Sequence, residues 1–140
     1  MKRVLFVCTG NSARSQMAEG FARAYGEGKV EPFSAGMDPK GVNPVAVEVM
    51  REKGIDLSHH RSKAFTEGLA RSMDCVVTVC GHAEERCPLL PGVKRLHWPL
   101  EDPARATGSP DEIREVFRRS RDEIERLVRE LLSHMSSPVK

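Results

Sequence analysis

The chain has 140 residues, which is the size of one ordinary domain built around a single core. Charged residues make up 30% of the chain, but the net charge is only +2, so the sequence does not indicate a nucleic-acid-binding function. Because it contains neither an apolar run of membrane-spanning length nor a signal-peptide pattern, we expect a cytoplasmic, monomeric protein that does not bind membranes.

The first predicted elements are a buried strand at residues 4–7 and a helix over residues 15–25, with residues 8–14 turning the chain between them. Gly10 and Asn11 tolerate the positive φ that such a tight loop requires. Successive amide N–H groups at the start of a helix bind tetrahedral oxyanions well. The predicted anion-binding residues are Thr9, Gly10, Asn11, Ser12, Ala13, Arg14 and Ser15.

Two side chains of this loop predict chemistry as well as binding. Arg14 can hold two oxygens of an anion at once. Cys8 opens the loop, where the same amides stabilise a thiolate, the nucleophilic form of cysteine, and where Ser12 and Ser15 can donate to the sulfur. An isolated cysteine is usually a small buried hydrophobic residue. The position of Cys8 at a strand-to-helix junction before an arginine favours a nucleophile instead.

The middle of the chain continues the alternation of strands and helices. A second strand is predicted over residues 30–35, and a helix begins at Pro44 with Asn43 as its N-cap. The adjacent His59 and His60 cannot share a helix face, and no other ligand stands at a suitable spacing. We therefore interpret them as loop or surface residues and predict no metal site. A short helix is predicted over residues 66–72.

The last third of the chain supplies two more strands, over residues 75–79 and 93–97, and a long C-terminal helix capped by Ser109 or Asp111. Residues 133–140 are predicted to be a frayed tail. The alternating pattern predicts an α/β fold, a single domain over residues 1–140 with a mainly parallel sheet covered by helices on both faces.

Chemically capable residues follow three of the predicted strands. The carboxyl ends of parallel strands meet at one edge, so Cys8, Cys80 and Asp102 are expected to lie close together there. Asp102 could act as a general acid, although the Asp-Pro dipeptide is also a common turn. Cys80 and Cys87 are six residues apart, and a helical segment over residues 81–86 would have to bend before they could form a disulfide. Burial as structural thiols is the alternative, and it is our prediction for Cys75.

The stretch from Cys8 to Ser15 resembles the signature loop of the low-molecular-weight protein tyrosine phosphatase family, whose fold has a four-stranded sheet ordered 2-1-3-4. The stretch Gln16-Met17-Ala18-Glu19 is similar to the thioredoxin-coupled arsenate reductases of that fold. Further motifs that resemble this branch are Ser34-Ala35-Gly36, Gly41-Val42-Asn43-Pro44, Val77-Thr78-Val79-Cys80, Cys87-Pro88, His97-Trp98 and Glu101-Asp102-Pro103-Ala104.

The resemblance implies an arsenate reductase without a bound cofactor. Cys8 would attack arsenate while Asp102 aids the loss of water, and Cys80 would then attack Cys8 and release arsenite. Cys87 would move the disulfide to Cys80–Cys87, from which thioredoxin would remove it. Phosphate and sulfate are expected to compete with arsenate as oxyanions of similar shape.

Two other functions stay open at this point. A phosphatase would need Cys8, Arg14 and Asp102 but neither Cys80 nor Cys87, and weak phosphatase side activity is compatible with the reductase. A non-catalytic redox sensor would need the thiols but not the anion loop. The resemblance favours the reductase, because alanine follows Asp102-Pro103 where phosphatases of this family typically have tyrosines.

A potassium ion lies beside the anion loop in some reductases of this family. The matching positions here are Asn11, Glu19 and Ser34, together with Lys63 where those reductases have an acidic residue. Because an ammonium group could replace the cation, we expect no potassium requirement.

Overall fold

The structure, a computed structural model, describes residues 1–81 and 90–135 and is centred on a parallel sheet in the order β2-β1-β3-β4. This confirms the predicted fold class and strand order. Residues 82–89 and 136–140 lie outside the described residues, and with them Cys87 and most of the predicted 81–86 segment. The strands are β1 (Lys2–Cys8), β2 (Val30–Gly36), β3 (Cys75–Thr78) and β4 (Lys94–His97).

The sheet is covered on both faces. Every residue of β1 from Val4 to Cys8 is buried, and so are all residues of β3, which is the pattern of parallel strands without a solvent face. Phe6 of β1 packs against Trp98, with ring centroids 5.8 Å apart. The helices are α1 (Arg14–Tyr25), α2 (Pro44–Arg51), α3 (Glu67–Arg71) and α4 (Pro110–Met135), with a 3-10 turn at Pro103–Arg105.

The helix starts follow local capping chemistry. The side chain of Asn43 accepts a hydrogen bond from the amide of Val45 at 2.8 Å, and Pro44 is the first helical residue, as predicted. At α4 the Ser109 hydroxyl accepts from the Glu112 amide (3.2 Å), while the Glu112 carboxylate accepts from the Ser109 amide (2.8 Å). This reciprocal capping box selects Ser109 over Asp111 as the cap.

The C-terminal helix is longer than the sequence predicted. Residues 133–135, assigned to a frayed tail, continue α4 through Met135. Leu131 and Leu132 are buried and Met135 packs against the core, so apolar contacts hold the last turn in place. The polar residues around Met135 in the chain gave no indication of these contacts. Among the described helices, none combines the length and apolarity that crossing a bilayer requires.

Buried and half-buried arginines fix α4 against α2. The Arg121 guanidinium donates to the Val49 carbonyl at 2.9 Å and to Glu52 at 2.8 Å. Hydrogen bonds from Arg118, reinforced by those from Arg121, hold the pKa of Glu52 at about 2. These contacts place α4 as one wall of the site described next.

Candidate active site

The loop between β1 and α1 turns its carbonyl oxygens away from the site and into neighbouring segments. Four backbone hydrogen bonds tie these carbonyls to residues 37–43. The bonds are Met37 N to Cys8 O (3.1 Å), Asp38 N to Thr9 O (2.7 Å), Lys40 N to Gly10 O (3.0 Å) and Asn43 N to Ser12 O (2.9 Å). Because a peptide's N–H and C=O point in opposite directions, outward carbonyls leave the amides of the loop facing inward.

The inward amides have the arrangement that an oxyanion site needs. Within residues 1–81 and 90–135, the N–H groups of Gly10, Ser12 and Ala13 donate to no protein atom. The N–H of Asn11 donates to the Cys8 sulfur at 3.1 Å. The free amides lie at the N-terminus of α1, where the helix dipole favours negative charge.

Asn11 adopts the unusual backbone conformation of the loop. Its φ is +46°, and it is the one non-glycine residue with positive φ in the described parts of the chain. Its side chain holds it there, since Nδ2 donates to Ser15 Oγ (2.8 Å) and Oδ1 accepts from the Lys63 amide (2.7 Å). Of the two residues that the sequence identified as tolerating positive φ, Asn11 adopts it and Gly10 does not.

Two donors converge on the sulfur of Cys8, a residue with 2% of its surface exposed. Ser15 Oγ already accepts from Asn11, so its hydroxyl proton is available to the sulfur 2.8 Å away. The Asn11 amide is the second donor. The structure therefore gives Ser15 the role that the sequence divided between Ser12 and Ser15.

The close approach of β2 explains Gly36. A Cβ at this position would lie 2.6 Å from the Asn11 nitrogen, closer than real Cβ contacts come. Gly36 pairs with Cys8 across the sheet, so the absence of a side chain allows β2 to lie directly beneath the loop.

Arg14 lies beneath the loop with 7% of its surface exposed. Its Nη1 donates to the carbonyls of Leu100 (2.9 Å) and Val79 (3.3 Å), and its Nη2 lies 3.6 Å from Asp102 Oδ2. The two carbonyls occupy both hydrogens of Nη1. The Nε and Nη2 edge is then left for two oxygens of an anion.

One carboxylate oxygen of Asp102 accepts a hydrogen bond from the backbone, and the other faces the site. Oδ1 accepts from the Ala104 amide at 3.0 Å and so caps the turn that begins at Pro103. Oδ2 faces Arg14, and the side chain is 36% exposed. A carboxyl group so placed can give a proton to an oxygen leaving the loop, and solvent can restore that proton.

Cys80 reaches the same edge of the sheet from the end of β3. Its sulfur lies 3.1 Å from the Thr9 hydroxyl, and 8% of the surface of the Cys80 residue is exposed. Cys8 and Cys75 are free thiols. Cys75 points into the core, where burial raises its pKa, in accord with a structural role. The predicted meeting of Cys8, Cys80 and Asp102 is present, whereas Cys87 lies outside the described residues.

Sequence comparison places this site in a known family. A model of the low molecular weight phosphotyrosine protein phosphatase family matches residues 3–140. The chain belongs to this phosphatase family. It is 51% identical to a protein named arsenate reductase from Shouchella clausii over 124 residues, covering 88% of this chain and 89% of that protein.

Three solved structures share the phosphatase-family fold. An arsenate reductase in the phosphate binding state has a TM-score of 0.77 and 37% identity over 97% of this chain and all of that chain. A thioredoxin-dependent arsenate reductase from Corynebacterium glutamicum has a TM-score of 0.78 and 31% identity over 96% of this chain and 62% of that chain. The YwlE arginine phosphatase with a phosphorylated active site serine has a TM-score of 0.80 and 28% identity, covering 96% of both chains.

Sequence reasoning missed a polar layer that supports the phosphatase-family loop from below. Gln16 is fully buried, and its Nε2 donates to Asn11 Oδ1 (3.0 Å) and to the Arg61 carbonyl (2.8 Å). The other end of the amide meets His60 Nδ1 at 3.0 Å, and burial lowers the pKa of His60. Ser62 Oγ donates to the Gly10 carbonyl at 2.8 Å. The only signal was a glutamine in the buried first turn of α1.

The Lys63 ammonium lies beside Glu19, one of the positions at which the family resemblance implied a potassium ion. Lys63 Nζ is 3.9 Å from Glu19 Oε1, which also accepts from Ser34 Oγ at 2.5 Å. Burial lowers the pKa of Lys63, while the attraction of Glu19 opposes that change. The residues present therefore fit an ammonium group better than a second cation. Across the described chain, no group of three or more histidine, cysteine or acidic side chains is placed to hold a metal.

An open cleft of about 970 Å³ leads from the anion loop towards α4. We call it the active-site cleft. Its inner end contains Thr9, Arg14 and Cys80, and Asp102 stands on its wall. Its remaining lining residues are Gly81, Pro99, Leu100, Glu101, Pro103, Arg105, Ala106, Val116, Arg119, Ser120 and Glu123.

Proposed function

We propose that this chain reduces arsenate to arsenite, with Cys8 as nucleophile and thioredoxin as the final reductant. The observation that carries the proposal is the contact between Cys80 and Thr9, which sets a second cysteine at the rim of the oxyanion loop. Hydrolysis of a phosphate ester needs no second thiol, but reduction does. The relatives named arsenate reductase support the same conclusion.

The first step forms a covalent adduct. Arsenate binds to the amides of residues 9–15 and to the Nε and Nη2 edge of Arg14. The Cys8 thiolate, supported by Ser15 and the Asn11 amide, attacks arsenic and forms an S–As bond. One oxygen leaves as water after taking a proton from Asp102, so the arsenic is still As(V) at this stage.

The second step transfers the electrons. The Cys80 thiolate attacks the Cys8 sulfur, an S–S bond forms, and the S–As bond breaks with its electron pair going to arsenic. Arsenic leaves as As(III) in arsenite, and the two cysteines are oxidised to a disulfide. A hydrogen bond with the Thr9 hydroxyl, 3.1 Å from the Cys80 sulfur, would orient this thiol for the attack on Cys8.

The third step frees the nucleophile for another cycle. The Cys87 thiolate attacks Cys80, which forms the Cys80–Cys87 disulfide and returns Cys8 as a thiolate. Thioredoxin then reduces that disulfide. This part of the relay rests on the family resemblance and on the spacing of Cys80 and Cys87, since residues 82–89 are not described. The need for thioredoxin agrees with the cytoplasmic location that we propose, and we propose that the protein acts as a monomer.

Weak hydrolysis of phosphate esters is the second activity that we propose. Phosphate and arsenate share a tetrahedral shape and charge, and Cys8, Arg14 and Asp102 would act on both. The structural similarity to an arginine phosphatase supports this side activity. A purely redox-sensing role is disfavoured, because it would leave the free amides and the buried Arg14 without a function.

The proposed function is tested by comparing the two activities in a C80S/C87S double variant. Wild type should reduce arsenate only when thioredoxin and its reductase are present. The double variant should lose this activity and keep any hydrolysis of an aryl phosphate, since that reaction needs only Cys8, Arg14 and Asp102. Arsenite release and phosphate release are measured side by side.

The matched control is Cys75→Ala, which removes a buried thiol outside the site and should retain thioredoxin-dependent turnover. The proposed function is wrong if wild type hydrolyses phosphate esters efficiently but shows no thioredoxin-dependent reduction of arsenate. Sustained reduction by the double variant would instead remove Cys80 and Cys87 from the relay.

Potassium is expected to give no specific gain over sodium, because the Lys63 ammonium already provides a positive charge beside Glu19. The measurement is arsenate turnover and melting temperature in matched potassium and sodium chloride, so that ionic strength is held constant. A clear increase in either quantity with potassium alone would contradict the proposed role of Lys63.

A further inference from the structure

The active-site cleft is much larger than an arsenate ion requires. Its volume of about 970 Å³ lies near the upper end of the range of roughly 300–1,000 Å³ for pockets that bind drug-sized ligands. A tetrahedral oxyanion on the anion loop would fill only the inner end. The outer end, between the 3-10 turn and α4, can therefore hold a second part of a larger molecule.

Two arginines line this outer end and are available to a ligand. Arg105 comes from the 3-10 turn and Arg119 from α4, and both are exposed. Their neighbours Arg118 and Arg126 form ion pairs at 2.8 and 2.6 Å with Glu52 and Glu123. Over the described part of the chain, neither Arg105 nor Arg119 has such a partner.

The acidic residues of the cleft are mostly engaged elsewhere. Asp102 faces Arg14 at 3.6 Å, and Glu123 binds Arg126 at 2.6 Å. Glu101 is then the acid that remains to oppose Arg105 and Arg119, so positive charge prevails at the outer end. The cleft is also lined by apolar side chains, which include Leu100, Pro103 and Val116.

We propose that Arg105 and Arg119 form a second anion subsite and that the cleft binds small molecules carrying a phosphate or phosphonate at one end and a carboxylate at the other. The phosphorus group would occupy the anion loop, so the proposal rests on the oxyanion binding in the proposed function. A guanidinium matches a carboxylate with two parallel hydrogen bonds, and the apolar wall suits a short carbon chain. The substrates that hydrolysis at this site would favour are accordingly phosphate monoesters of hydroxycarboxylic acids, in which the carboxylate stays free.

The test measures competition with arsenate during its thioredoxin-coupled reduction. The probes are phosphonoacetate, phosphonopropionate and phosphonobutyrate, each compared with the alkylphosphonate of the same chain length. At the chain length that spans the cleft, the carboxylate should lower the inhibition constant about five- to tenfold, as expected for guanidinium contacts near the surface.

Variants assign the effect to the two arginines. For each matched pair, the inhibition constant of the alkylphosphonate is divided by that of the phosphonocarboxylate. In an R105A/R119A double variant, this ratio should fall close to one. Using this ratio within a variant cancels any general change in oxyanion binding. Arg51→Ala removes an exposed arginine that does not line the cleft and should keep the wild-type ratio.

The inference is overturned if the carboxylate gives no gain at any chain length, or if the double variant keeps the gain. One further result would overturn the proposed function as well as the second subsite. If inorganic phosphate and every phosphonate fail to compete with arsenate, then the proposed oxyanion site is wrong and the second subsite fails with it.

Discussion

Replacing Cys8 by serine is expected to abolish arsenate reduction and phosphate ester hydrolysis together, with a loss of about 10³-fold or more in turnover. A serine hydroxyl is not ionised near neutral pH, and it cannot enter a disulfide exchange. The Ser15 hydroxyl and the Asn11 amide, which both contact the Cys8 sulfur, would hydrogen-bond to the new oxygen, so the loop should keep its shape. Arsenite release in the coupled assay measures the effect, and calorimetry should show that phosphate still binds.

The matched control is Cys75→Ser, which makes the same chemical change at a buried thiol in β3. It should lower the melting temperature, since the core then holds a hydroxyl, but it should retain turnover. Sustained reduction of arsenate by C8S would show that another thiol is the nucleophile, with Cys80 the first to examine.

Arg14→Lys is expected to lower kcat/KM for arsenate by about 10²–10³-fold even though the charge is conserved, a loss comparable to removing a donor from an oxyanion hole. A lysine ammonium has no planar edge with which to hold two oxygens. It would also lose one or both contacts to the carbonyls of Val79 and Leu100, which lie 3.3 and 2.9 Å from Nη1. Steady-state kinetics and phosphate binding by calorimetry measure the two consequences separately.

Arg71→Lys is the control for this substitution, because Arg71 forms an exposed ion pair with Glu67 on α3 and does not line the active-site cleft. It should leave both measurements at the wild-type level. An unchanged kcat/KM and an unchanged phosphate affinity in R14K would show that the guanidinium edge does not hold the anion.

The architecture of the site could be predicted from local sequence signals. The change from a strand pattern to a helix pattern around Cys8 marks the loop, and the residue types from Cys8 to Arg14 indicate its chemistry. Parallel topology then brings Cys80 and Asp102 to the same edge as Cys8. These predictions depend on short-range periodicity and on a general rule about sheets, which explains why they agree with the structure.

The details that make the loop work could not be predicted, because they are contacts between distant segments. Nothing near Asn11 in sequence indicates that the Lys63 amide binds its side chain, or that His60 contacts the Gln16 amide below the loop. The sequence indicated that Gly10 and Asn11 both tolerate positive φ, but only the tertiary contacts decide that Asn11 uses it. Whether a residue type tolerates positive φ is a local property, whereas whether it adopts positive φ depends on contacts made throughout the fold.

The outward carbonyls of the loop bear on how the protein acquires its reactivity during synthesis. Cys8 leaves the ribosome before the partners that hold its loop, which are residues 37–43, Ser62 and Lys63. Until these have been made and packed, the amides have no reason to converge, and Cys8 is an ordinary thiol of an unfolded chain. The nascent protein thus carries no activated nucleophile that could react with oxidants or metals. The thiol becomes reactive only when the domain around it has closed.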